Sequence, residues 1–369
     1  MLGKALALAA VVLCFAPTLG AAAGLLPSLA PPPLWTRDLG AGEATGAAID
    51  ALGNVFVAGT QAGTITVWRL DALGAVVWQA PLARGLAGGI AARPDLGGVV
   101  VVGSSVGQGT DAYVAALDPD GALLWERTIA TPADDAARGV VATTDAIYIA
   151  GSTGKDLLLA RIDPDGLHRW TRALDFGREE VLQDALALRD GSPVGVGWSY
   201  DGVRNLALLV HLDALGDLDP ATGGWVRFVA APDGGHLRGY AGEGTPAGFV
   251  IAGEEARGLW KAPYAASFTA LGALQWQSTL GRETGASARS LALDAVGGTL
   301  LAGPGGAGRP GLVARLGPTG DVAWSGAFEG PGSAAAAVAA HPAGLVVVAG
   351  AAAGEALATA YADAPLRVR

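Results

Sequence analysis

The chain has 369 residues, 51% apolar and 16% charged, with 57 glycines and 21 prolines; this excludes a disordered chain and argues for many short strands joined by tight turns rather than long charged helices. The formal charge is −10, and lysine and arginine form no cluster able to neutralise a row of phosphates, so neither nucleic acid nor anionic membrane is expected as a partner. No transmembrane span is expected beyond the N-terminal segment, because the most apolar later stretch, 344–362, is broken by its glycines and by Glu355.

Residues 1–23 carry Lys4, an apolar run and then Ala21-Ala22-Ala23, the pattern of a signal peptide cut before Gly24. A secreted or periplasmic chain is therefore expected. The single cysteine, Cys14, falls inside that segment, so the mature chain would hold no thiol for disulfides, nucleophilic catalysis or metal ligation. Leu13 rather than a small residue precedes Cys14, which argues against lipid attachment. Residues 24–33, ending in "PPP", read as a stiff lead-in.

From residue 34 to 369 the chain repeats itself. "GSSVGQGTDAYVAALDPDGALLW" (103–125) returns in shortened form as "GSTGKDLLLARIDPDGLHRW" (151–170). Tryptophans recur at 35, 78, 125, 170, 225, 276 and 324, spaced 43 to 55 residues apart. Each unit holds a small-residue stretch, an apolar run ending in glycine such as "VVVVG" (99–103) or "IYIAG" (147–151), a third run, a turn and the next tryptophan. Four short strands at that period predict an all-β seven-bladed β-propeller of four-stranded blades. The chain starts on a tryptophan strand, "LWTRDL" (34–39), and ends on a third strand, "ALATAYA" (356–362), so the N-terminal strand is expected to close the last blade. The small residues of each first strand are expected to line a central channel, and the tryptophans to fill the wedges between sheets.

The turn before each tryptophan has a chemical reading. In Asp118-Pro119-Asp120-Gly121 the first aspartate caps the turn, proline presets φ and glycine closes it; Asp163-Pro164-Asp165-Gly166 repeats the pattern. A calcium loop is the alternative, but two carboxylates offer too few oxygens.

"AGST…ARIDPDG" and "VVGSS…DAYVAALDPDG" resemble the bacterial SBBP-type β-propeller repeat, and the rhythm of Ala116, Asp118, Gly121 and Trp125 resembles the docking motif of PQQ-like propellers. The resemblance spans roughly 34–369 and is strongest in the second and third units. It implies a propeller fold and a secreted or periplasmic setting, and little about activity. Quinone chemistry does not carry over, since the spacing is one residue short and no cofactor or calcium ligands match; no cofactor is expected.

Other apparent motifs do not hold. Gly103-Ser104-Ser105-Val106-Gly107 fits a nucleophile elbow, which needs a strand-to-helix turn that is not expected here. Gly303-Pro304-Gly305-Gly306-Ala307-Gly308 fits a dinucleotide loop but leads into a strand. His168, His211, His236 and His341 lie in different repeats without ligand spacing, so no metal site is expected. The paired acids Asp134-Asp135 and Glu179-Glu180 read as solvated loop charge, with an acid/base pair as the alternative.

The fourth and fifth units are the longest and carry aromatic, charged loops, 197–205 and 253–261. Trp198, Tyr200, Asp201, Arg204, Glu254, Arg257, Trp260 and Lys261 are the candidate ligand-binding residues, placed together on one face. The alternative is that Trp198 and Trp260 merely pack under those loops. The leading reading is a non-catalytic, monomeric propeller binding a protein, peptide or glycan there. A hydrolase or lyase using loop carboxylates on the same face is the second reading, and a structural scaffold the third.

Overall fold

The computed structural model describes residues 32–94, 97–107, 109–281, 285–306, 309–328 and 333–362. The expected signal segment 1–23 with Cys14, and the expected lead-in up to residue 31, lie outside the described residues. Strand β1 (Trp35–Ala41) comes first. It is followed by β2 (Glu43–Ile49), β3 (Val55–Gln61), β4 (Thr64–Leu70), β5 (Val76–Ala92), β6 (Val99–Val106), β7 (Thr110–Leu117) and β8 (Leu123–Ile129). Next come β9 (Asp135–Ala142), β10 (Ile147–Thr153), β11 (Asp156–Ile162) and β12 (His168–Leu174). Then follow β13 (Glu179–Ala187), β14 (Pro193–Tyr200), β15 (Asn205–His211) and β16 (Trp225–Val229). After these are β17 (His236–Thr245), β18 (Gly248–Arg257), β19 (Trp260–Thr269) and β20 (Leu274–Thr279). The last are β21 (Ser290–Leu293), β22 (Thr299–Gly303), β23 (Gly311–Leu316), β24 (Val322–Phe328), β25 (Ala334–His341), β26 (Leu345–Ala352) and β27 (Glu355–Ala362).

The strands form an all-β propeller, but not the seven separate four-stranded blades expected from the tryptophan period. Only five sheets are discrete four-stranded blades: β9–β12, β13–β16, β17–β20, β21–β24, and β25–β27 joined by β1; the stretch from β2 to β8 is one seven-stranded sheet. The cause is local. No loop interrupts the chain between Val76 and Ala92, so β5 runs on for 17 residues, pairing with β4 through Arg84 and with β6 from Gly85 onwards. Gly85 (φ +153°) takes the handover, and a Cβ there would collide with the Ser104 carbonyl. Elsewhere a loop such as 130–134 separates the outer strand from the next inner one.

β1 pairs with β27, from Trp35 opposite Ala360 to Ala41 opposite Glu355, and leaves no free edge on that side. The inner strands β2, β5, β9, β13, β17, β21 and β25 pack in succession, and β25 returns onto β2.

Both faces of the middle strands are covered, which is why they read as unbroken apolar runs rather than alternating ones. In β6, Val100 and Val102 enter the core shared with β9–β12, while Val99 and Val101 enter the core shared with β3 and β4.

Tryptophans on the outer strands sit on the turn of the following repeat, Trp125 and Trp170 reaching across to the next sheet and Trp78 within the long sheet. Trp78, Trp125 and Trp170 donate their indole N–H to the carbonyls of Pro119 (3.0 Å), Pro164 (3.1 Å) and Ala214 (3.4 Å). Inside the first of these turns, Asp118 Oδ1 accepts the N–H of Asp120 and of Ala122, both at 2.9 Å. Gly121 closes it at φ +88°, and a Cβ there would sit 2.9 Å from the Trp78 ring. The turn glycine thus answers two demands, a left-handed backbone and close approach of the indole. An arginine two residues past the tryptophan holds the same turn: Arg37, Arg127 and Arg172 donate Nε–H to the carbonyls of Gly74, Gly166 and Gly216.

Candidate functional site

The stretches 197–205 and 253–261 are not long loops. They are the far ends of two β-hairpins, because pairing continues from Glu179 opposite Tyr200 and from Arg257 opposite Trp260, leaving only 201–204 and Gly258-Leu259 as turns. Asp201 shapes the first turn by accepting the N–H of Val203 (2.9 Å) and Arg204 (2.8 Å), contacts that hold its carboxyl below the ordinary aspartate range. Gly258 supplies the positive φ (+58°) of the second.

The two hairpins meet across the β16–β17 connection. Arg204 Nη1 donates to the Gly234 carbonyl at 3.3 Å, and Arg257 Nη1 to the Asp233 carbonyl at 3.1 Å, so one turn is held from both sides. Beneath it Arg238 lies over the Trp198 ring at 5.3 Å and 4.0 Å from Glu254, which Lys261 on β19 also reaches, at 3.3 Å. With its amide oxygen turned to Arg238, Asn205 accepts from Nη2 at 2.9 Å.

The structure therefore gathers Trp198, Arg204, Glu254, Arg257 and Lys261 into one seam. Tyr200 and Asp201 border it, the Tyr200 hydroxyl donating to the Gly202 carbonyl (3.0 Å), and Trp260 flanks it half-buried at the start of β19. Sequence reading missed Asn205, Asp233 and Arg238, and with them His236, whose Nδ1 accepts the Asn205 N–H at 3.2 Å; none was among the chosen side chains. Gly103–Val106 runs along the end of β6 into a hairpin with β7, with no helix to support a nucleophile elbow.

The paired acids are not both solvated. Asp135 and Glu180 are fully buried while Asp134 and Glu179 are exposed, since adjacent residues entering a strand face opposite sides. Asp135 accepts from the Thr131 N–H (2.5 Å) and hydroxyl (2.9 Å). Glu180 accepts weakly from Ser199 Oγ at 3.4 Å, and burial pushes its carboxyl up.

A cavity of about 860 Å³ occupies the central channel; none of the eight candidate residues lines it. Its wall is small where inner strands crowd: a Cβ on Gly139 would lie 2.3 Å from Asp184 Cα. It is not small throughout, because Arg138, Asp184, Tyr240, Glu243 and Arg289 also line it. Asp184 accepts from the N–H of Gly242 (3.0 Å) and Ala185 (2.8 Å), and Glu243 from that of Leu293 (2.9 Å). Burial outweighs these bonds and raises both carboxyls to about 7, the charge of Asp184 adding to the rise at Glu243.

Raised carboxyl values mean that the folded chain binds these protons more tightly than the unfolded one, so stability from this pair is greatest below the ordinary carboxylate range and falls as pH rises to about 7. His211, whose burial lowers its value, works in the opposite sense as pH falls through the ordinary histidine range. The difference between chains isolates the pair: Asp184→Asn with Glu243→Gln should flatten the fall in melting temperature between about pH 5 and pH 8. A double variant with the wild-type slope contradicts the assignment.

No family model matches the chain, and no curated protein matches it. Solved structures do. A catalytically inactive virginiamycin B lyase from Staphylococcus aureus with quinupristin is 13% identical at a TM-score of 0.58, covering 89% of this chain and 99% of that one. The Cps50 (Swd1) β-propeller domain of Myceliophteria thermophila is 12% identical at 0.57, covering 88% and 98%. Sqt1 from Chaetomium thermophilum is 12% identical at 0.54, covering 91% and 100%. At such identities the likeness speaks for the propeller fold alone. Among the described residues no helix is long and apolar enough to cross a membrane.

Proposed function

We propose that the chain is a secreted or periplasmic binding propeller that holds a protein or peptide segment, without transforming it, on the face made by the β14–β15 and β18–β19 hairpins. The observation that supports this is the pairing of apolar tips with a fixed polar base. Val203 and Leu259 project into solvent at the two turns with Tyr200 beside them, while Arg204 and Arg257 are tied to the connection between them. Apolar and arginine contacts on a preorganised base are what a protein-binding centre needs, because little side-chain freedom is then lost on association.

The hydrolase or lyase reading finds less support on this face. Asp201 is committed to backbone donors that hold its carboxyl low, and Glu254 is engaged by Arg238 and Lys261 rather than facing an open pocket. The titratable pair lies instead in the channel.

Peptide and glycan arrays probed with the full chain test the proposal. Peptide binding is expected, weakened at least about tenfold by Leu259→Asp and by Val203→Asp with folding intact. Binding only to glycans, or peptide binding unchanged in both variants, would overturn it.

A further inference from the structure

We infer that Asp156, Asp175 and Glu180 form a calcium site at the joint between the β9–β12 and β13–β16 sheets. Asp156 opens β11, Asp175 follows β12, and Glu180 is the second residue of β13, so three separate elements converge. One carboxylate oxygen from each lies within 4.8 Å of the other two. Glu180 is fully buried, and its Oε2 has no hydrogen-bond partner. Among the described residues, none of the ion pairs brings a lysine, arginine or histidine to these three acids.

The preceding joint shows what such a place requires. There Asp135 stands opposite Thr153, as Glu180 stands opposite Ser199. Asp135 is satisfied by the N–H and hydroxyl of Thr131, and that hydroxyl also meets Thr153 at 2.7 Å. At the Glu180 joint a backbone contact from Phe176 and one long contact with Ser199 serve the carboxylate, Oε2 is left without a partner, and two further carboxylates stand where donors would be. Three close carboxylates, one of them desolvated, call for a cation.

The donors are all oxygens, which selects a hard ion, and their number selects among hard ions. Three protein carboxylates suit calcium, which takes about six to eight oxygens in flexible geometry, better than magnesium, which usually takes only one or two carboxylates and keeps its water. Three carboxylates give three to six oxygens, and the exposed side of Asp175 leaves room for water to complete the shell. The ion would pin the β12–β13 loop to the β10–β11 hairpin. This departs from the expectation that the chain holds no metal, because the ligands share no sequence motif.

Calorimetry and thermal melting of the chelator-treated full chain, titrated with calcium chloride and separately with magnesium chloride, test the site. One calcium per chain, tighter than magnesium, and a melting temperature rising with calcium are expected. Asp175→Asn and Asp156→Asn should each weaken calcium at least about tenfold, and Glu180→Gln should abolish the rise while melting higher than wild type in chelator. Asp175 is exposed, so its variant carries the test if Glu180→Gln does not fold. Absence of binding at roughly millimolar calcium, the weak end of protein calcium sites, overturns the inference. So does a wild-type calcium response in both aspartate variants, which would place the ion elsewhere on the acidic surface.

Discussion

Replacing Trp170 with alanine should lower stability by about 3–5 kcal/mol, the range for a buried aromatic, and the melting temperature by roughly 6–10 °C. Trp170 is 8% exposed, packs beside Tyr148 and reaches the Ala214 carbonyl of the next sheet. Gly216→Ala attacks the same contact from the other side, since φ there is +80° and the added Cβ would sit 2.7 Å from the indole. Because both changes break one contact, the double variant should lose less than the sum of the two in a denaturant or thermal series. Full additivity would show that the indole and the turn act independently.

Removing residues through Ala41 should cost about 5 kcal/mol from the lost burial of Trp35 and Leu39 alone. It would also bare β27, whose N–H and C=O groups now pair with β1. An unpaired edge recruits other chains, so self-association on size exclusion with light scattering should accompany the fall in melting temperature. A monodisperse product with an unchanged midpoint would show that β1 contributes nothing to closure.

Much of this fold is legible in the sequence because each repeat carries its own punctuation. The apolar runs ending in glycine are second strands, and the Asp-x-x-Gly motifs are the turns their chemistry predicts. The second role of those glycines is hidden, since the ring that presses on Gly121 belongs to Trp78, more than forty residues earlier. The recurring Trp-x-Arg at 35, 125, 170 and 225 is in plain view but has meaning only once the arginine is seen on a turn of the next sheet.

Sheet boundaries are less readable than strands. The tryptophan period marks where an outer strand begins, not where it ends, and β5 passes through that blind spot. Trp198 and Tyr200 look like loop residues because they follow the glycine that closes an apolar run, although the ladder with β13 and β15 carries on past it. At the candidate face the sequence offers residues near two turns, and it cannot offer Arg238 or Asp233, which arrive from a third element. The acids at the sheet joints defeat a reading by charge alone for one reason: in an extended chain, two consecutive carboxylates cannot both look outwards.

The long β5 has a mechanical meaning. Where most outer and inner strands are separated by a slack loop, a disturbance in one sheet can be absorbed before it reaches its neighbour. Across Gly85 there is no slack, so tension on the β4 ladder is delivered straight to β6, and the stretch of chain from β2 to β8 should loosen, or hold, as a single body.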